Sequence, residues 1–206
     1  MINNTINKKI FFLFQIIFLF FILFTKSHSN AIDENGAFVT YGKDTAPIKI
    51  KVFSSLTCPH CANFHTNVIT KINEKYIKKG KVQLMHYDFP LDQSAFNASK
   101  ILHCLDKKNQ QEFLDTVYKE QNNWTIGSNI NDINKNLKKI VKNLGISPAK
   151  FDKCLIDEVI SDKILNGRID ASQKYSIDST PAIVINEKKL EGSVSFKSIK
   201  KKIEKL

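Results

Sequence analysis

The tightest constraint on this chain is the order of its hydrophobic periods around one short stretch, Cys58-Pro59-His60-Cys61. Before it, Ile48, Ile50 and Val52 alternate with Lys49 and Lys51, the pattern of a half-buried strand. After it, Phe64, Val68, Ile72 and Tyr76 recur at helical spacing, and Gly80 follows, which predicts a helix over about 58–79. Val82, Leu84, Met85 and Tyr87 then predict a second strand over 81–89, stopped by Pro90. Two strands joined by such a helix run parallel with a right-handed crossover. Two thiols at the start of the crossover helix can close into a disulfide and open again.

From Asp92 to about Tyr175 the spacing is helical, in segments near 94–106, 109–121, 130–144 and 148–173. Leu137, Ile140, Val141 and Leu144 form one face, Gly145 ends that helix and Pro148 starts the next. Strand character returns at Ala182–Ile185, followed by a tight turn at Asn186-Glu187 and a second run from Lys188 to Glu191. Gly192 breaks that run, and a closing helix from Ser195 carries Phe196, Ile199, Ile203 and Leu206 on one face. Residues 32–46 read as a polar, extended arm. The expected organisation is an α/β core from 32–91 and 176–206, interrupted by an all-helical insertion over 92–175.

The N-terminus has a separate role. Lys8 and Lys9 precede the run Ile10 to Phe24, which is apolar except for Gln15. Ser29-Asn30-Ala31 fits a signal-peptidase site, with cleavage after Ala31 or after Ser29. Residues 1–31 therefore read as a signal peptide, or as a retained membrane anchor, although the run is short for a span. Either delivers the remainder outside the cytosol. The net charge of +11 becomes +8 without that segment. Its lysines are scattered rather than interleaved with aromatics, so they predict a solvated surface and no nucleic-acid partner.

Four cysteines remain, Cys58, Cys61, Cys104 and Cys154. An even count in an exported chain favours two disulfides. Of three connectivities, the short spacing pairs Cys58 with Cys61 and leaves Cys104 with Cys154. The second pair is a structural disulfide candidate; a second redox pair and two free thiols are the alternatives. Cys58, His60, Cys61 and His65 could also offer metal ligands, but no second CxxC or HxxxH completes a zinc site, so no metal or cofactor is expected. His86, His103 and Trp124 fit structural roles.

Three stretches together carry a resemblance: Phe53-Ser54-Ser55-Leu56-Thr57-Cys58-Pro59-His60-Cys61, then Asp88-Phe89-Pro90-Leu91-Asp92, then Ser179-Thr180-Pro181-Ala182-Ile183-Val184-Ile185-Asn186 with Gly192. From about Gly42 to the C-terminus the chain resembles the DsbA-like branch of the thioredoxin superfamily, exported thiol–disulfide oxidoreductases with an inserted helical domain. The resemblance implies a thioredoxin-like fold. It implies that Cys58 is the substrate-facing nucleophile and Cys61 the buried partner. It also implies a cis-proline loop at Thr180-Pro181, packed against the pair, with Thr180 contacting substrate and tuning Cys58. In many members an acid stands six residues before the nucleophile and assists proton transfer at the buried cysteine; here that position is Val52.

The chemistry asks for these residue types. Only a thiolate attacks a disulfide. A cysteine at the first turn of a helix meets unpaired N–H groups and the positive end of the dipole. Pro59 suits a first turn because its missing N–H costs little there, and a protonated His60 adds positive charge. All three favour a Cys58 thiolate, and hence a Cys58–Cys61 disulfide that passes readily to a substrate. The expected function is the introduction of disulfides into translocated proteins in the periplasm, by a monomer that a membrane quinone-linked partner reoxidises. A thiol isomerase or reductase on the same fold is the first alternative, and a periplasmic metal carrier is the second.

Overall fold

The computed structural model describes residues 37–206, and the expected signal segment lies outside them. Five strands form one sheet: β1 (Phe38–Tyr41), β2 (Ile48–Ser54), β3 (Val82–Asp88), β4 (Ala182–Ile185) and β5 (Lys188–Lys189), in the order β1-β3-β2-β4-β5. β2 and β3 are parallel, in register from Ile48 against Val82 to Ser54 against Asp88. β1 is antiparallel to β3, β4 to β2, and β5 to β4.

Helix α1, residues 59–77, makes the crossover between β2 and β3; it is α-helical at Pro59–Phe64 and Thr70–Ile72, with wider π turns at His65–Ile69 and Asn73–Ile77. Gly80 takes the left-handed backbone (φ 69°) that turns the chain into β3. Between β3 and β4 lie α2 (Gln93–Cys104), α3 (Lys107–Lys119), α4 (Gln121–Trp124), α5 (Ile130–Lys142), α6 (Pro148–Leu155) and α7 (Glu158–Tyr175). α8 (Phe196–Ile203) closes the chain. The α/β crossover with helices set between its halves is the arrangement anticipated from the sequence. Among the described residues no helix is long and apolar enough to cross a membrane.

Strand alternation divides the core into two layers. Ile50, Val52, Leu84, Ile183 and Ile185 face a large cluster with Ile72 of α1, Ile101 of α2 and Phe113 of α3. Phe53, Met85, Tyr87, Ala182 and Val184 face a smaller one closed by Ala171 and Ile177. Lys51 lies on that second face, 3% exposed. It meets Glu187 at 2.8 Å and donates to the Tyr175 hydroxyl at 2.9 Å. Glu187 sits in the β4–β5 turn, where Asn186 and Glu187 both have positive φ.

Two local expectations are corrected. Residues 38–41 are not arm but strand: β1 supplies the antiparallel edge beside β3, with Val39 and Tyr41 turned inward. The single helix expected over 148–173 is two. α6 stops at Leu155, and the Asp157 carboxylate accepts from the Ile160 N–H to start α7, a standard N-cap. Cys104, the last residue of α2, is bridged to Cys154 of α6, with their Cα atoms 5.9 Å apart.

Candidate functional site

β2 ends at Ser54 and the chain turns through Ser55, Leu56 and Thr57 into α1. Its carboxyl end faces the Thr180-Pro181 loop, because β4 pairs with β2 and that loop precedes β4. Cys58 is the N-cap of α1, in extended backbone, and Pro59 occupies the first helical position. The first intrahelical bond runs from the Ala62 N–H to the Cys58 carbonyl, at 3.1 Å. The N–H groups of the turn that follows Cys58 thus keep no partner within the helix.

The two thiols stand in unlike surroundings. Both are unbridged. Cys58 is 9% exposed and Cys61 is 0% exposed, while Pro59 and His60 between them are exposed. The Cys58 thiol donates to the Thr180 carbonyl at 3.5 Å. Thr180-Pro181 is cis, as the resemblance implied. Burial pushes the Cys61 thiol up to about 12; the Thr180 hydroxyl and the Ser55 backbone oppose that shift, and the neighbouring Cys58 adds to it. The Thr180 hydroxyl is buried and lacks a hydrogen-bond partner in this thiol state. A Cys61 thiolate would give it one.

The loop is braced from two sides. The Thr57 hydroxyl donates to Asp92 at 2.6 Å, and the Leu91 N–H donates to the Ser55 hydroxyl at 3.3 Å. Asp92 also caps α2 through the Ala95 N–H. From α4, the buried Gln121 amide donates to the Leu56 carbonyl at 2.8 Å and to the Cys58 carbonyl at 3.2 Å. Nothing in the sequence pointed to Gln121, 63 residues from Cys58.

A buried polar cluster lies one turn below. His65 meets the Asp115 carboxylate at 2.7 Å, and its ring packs on Tyr118 with centroids 4.7 Å apart. The Tyr118 hydroxyl meets His86 at 3.0 Å. Burial lowers the His86 imidazole to about 4, so it is neutral near pH 7. Asp88 is buried too, and burial alone would disfavour its charge. His103 at 2.5 Å and the Ser99 hydroxyl outweigh that and hold its carboxyl below the usual range. His86 and His103 are therefore partnered in the core, and Trp124 donates to the Val117 carbonyl at 2.8 Å. Val52 is fully buried among apolar neighbours. Among the described residues no group of three His, Cys, Asp or Glu side chains is arranged to hold a metal ion.

A helix-borne thiol pair facing a cis-proline loop, at the carboxyl end of a parallel β2/β3 crossover, defines a thioredoxin-fold thiol–disulfide oxidoreductase. The family model for thioredoxin matches residues 34–205. A probable disulfide bond formation protein D of Bacillus cereus is 30% identical over 170 residues, covering 80% of this chain and 76% of the relative. A putative protein-disulfide oxidoreductase of Rickettsia bellii is 27% identical over 84% of this chain; the chain spans 65% of that relative, just under two thirds. The crystal structure of alpha-DsbA1 from Wolbachia pipientis superposes with a TM-score of 0.74 at 31% identity, over 82% of this chain and 90% of that one. The chain belongs to the thioredoxin family, in its DsbA-like branch of thiol–disulfide oxidoreductases.

Proposed function

We propose that this oxidoreductase works as an exported oxidase, donating the Cys58–Cys61 disulfide to proteins folding in the periplasm. The observation that carries the reading is the asymmetry of the two sulfurs on one helix: Cys58 at the surface end beside Thr180, and Cys61 fully buried one turn deeper. A substrate thiolate attacks the Cys58 sulfur, and Cys61 leaves. A second substrate thiolate attacks the substrate sulfur of the mixed disulfide, and Cys58 leaves as the thiolate. The substrate has lost two electrons and the enzyme has gained them.

Pro59 and His60 shape the electrostatics of that first turn. Thr180 and Pro181 present the backbone beside which an extended substrate lies. A quinone-linked membrane partner returns the pair to the disulfide. The apolar run at residues 10–24, preceded by Lys8 and Lys9, and the small residues up to Ala31 support export, with or without a retained anchor. Relatives named disulfide bond formation protein D support the same direction of transfer.

The test is the reduction potential of Cys58–Cys61, equilibrated with glutathione and measured by mass spectrometry. The expected value is more oxidising than about −180 mV. A value near or below about −250 mV makes the protein a reductant and reverses the proposal.

A further inference from the structure

Cys61 poses a problem that the thiol pair alone does not solve. To close the disulfide, its thiol must lose a proton inside the core. It is 0% exposed, so water cannot take the proton directly, and burial holds the thiol far above neutral pH. A proton acceptor within the fold is needed.

One buried imidazole lies a turn away on the same helix. His65 follows Cys61 by four residues, so both lie on one face of α1 with the histidine leaning back over the cysteine's turn. His65 is 5% exposed. Its Nε2 lies 2.7 Å from an Asp115 carboxylate oxygen. A carboxylate only accepts, so Nε2 carries the hydrogen and Nδ1 of the neutral ring holds a free lone pair. That Nδ1 is buried and has no hydrogen-bond partner. An unsatisfied buried acceptor costs on the order of 1–3 kcal/mol, so one kept a helical turn from a reacting cysteine needs a reason. Asp115 is 70% exposed, which gives the far side of the ring an opening to water.

We propose that His65, oriented by Asp115, is the group that takes the proton from Cys61 when the redox disulfide closes. The inference rests on the oxidoreductase reading and adds a residue to it. In the step, the Cys61 sulfur attacks the Cys58 sulfur of a mixed disulfide. The Cys58–Cys61 bond forms, the bond from Cys58 to the partner sulfur breaks, and the partner leaves as a thiolate. The Cys61 proton passes to Nδ1, and the imidazolium that results is stabilised by the Asp115 carboxylate. The Nε2 proton then leaves on the solvent side. When a substrate thiolate opens the disulfide, the same path runs backwards. Asp115 is a positioning residue: it fixes the tautomer and balances the charge.

Asp115 is the carboxylate in contact with His65, and Tyr118, Tyr41 and His86 stand around the ring. Burial holds the phenols of Tyr118 and Tyr41 well above their ordinary value. Burial also keeps His86 neutral.

The experiment uses the reduced full chain mixed with oxidised glutathione, quenched in acid at intervals and read by intact mass. Cys58 first forms a mixed disulfide, and Cys61 then closes the ring and releases glutathione. His65→Phe, which keeps a ring against Tyr118, is expected to leave the first step unchanged and slow the second by about 10²-fold or more at pH 7. The deficit should narrow as pH rises, because hydroxide takes over the deprotonation. Asp115→Asn should fall between the two, and because Asp115 is at the surface it decides the matter even if His65→Phe fails to fold. Closure at the wild-type rate in Asp115→Asn and in any folded His65→Phe overturns the proposal. A wild-type chain that never closes Cys58 to Cys61 would instead overturn the oxidoreductase reading itself.

Discussion

The two cysteine pairs of this molecule invite comparison. Cys58 and Cys61 share one helix, three residues apart, and stand open. Cys104 and Cys154 are 50 residues apart, lie on α2 and α6, and are bridged. Chain-entropy estimates give a bridge across the short loop about 2 kcal/mol and a bridge across the long one about 4 kcal/mol. The short bridge therefore constrains the unfolded chain less than the long one does. The long one fastens two helices that are also joined by the Lys100 ammonium donating to the Leu155 carbonyl. The proposed roles, exchange for one pair and architecture for the other, rest on sequence separation together with placement on the helices.

Replacing the redox cysteines should break the comparison most sharply. Cys58→Ser is expected to abolish thiol exchange, whereas Cys61→Ser, offered a substrate that carries a disulfide, should accumulate mixed disulfides through Cys58. Non-reducing gels with mass mapping check this, and equal trapping by both variants would reverse the assignment of the nucleophile. Next in size is the double change Cys104→Ala/Cys154→Ala. It should lower the free energy of unfolding by about 4 kcal/mol in urea, with the reduction potential of Cys58–Cys61 unchanged. A shifted potential would show that the two pairs are coupled. Gln121→Ala tests the contact through which such coupling could run, since α4 holds the redox loop from the helical side. The Cys58 carbonyl keeps the Ala62 N–H, but the Leu56 carbonyl loses its Gln121 donor, so a loss of about 1–2 kcal/mol is expected. No loss in urea titration would mean that water replaces the amide.

How far the sequence foretold this structure depended on distance along the chain. The β2–α1–β3 crossover, the Gly80 stop, the Asn186-Glu187 turn and the Ser195 cap were legible because each is set by neighbours within a few residues. β1 was not: four residues give two turns of alternation, and its hydrogen bonds come from β3, over 40 residues later. The break between α6 and α7 was present in Asp157, a capping residue lost inside a long helical period. At the site, Cys58, Cys61 and Thr180-Pro181 could be named in advance because their chemistry is written in short motifs. His65 was readable only as a possible metal ligand. Asp115 and Gln121 carried no local signal, since their roles exist only once α3 and α4 pack against the redox helix.

The Lys51–Glu187 contact has a consequence for stability in acid. Burial by itself would raise the Glu187 carboxyl, but Lys174, Lys51 and Tyr175 more than reverse this and bring it down to about 2. A group depressed on folding stabilises fully above its ordinary value, 4.5, and that contribution is lost as pH falls through about 2. The hairpin that ends in β5 thus stays latched to the central strand under acidity that neutralises ordinary carboxylates. Because Glu187 is half-exposed, solvent screening keeps the effect below about 1 kcal/mol. Glu187→Gln should accordingly erase a small stability difference between pH 5 and pH 2 in urea titrations, and an identical pH dependence in both proteins would show that the latch bears no charge.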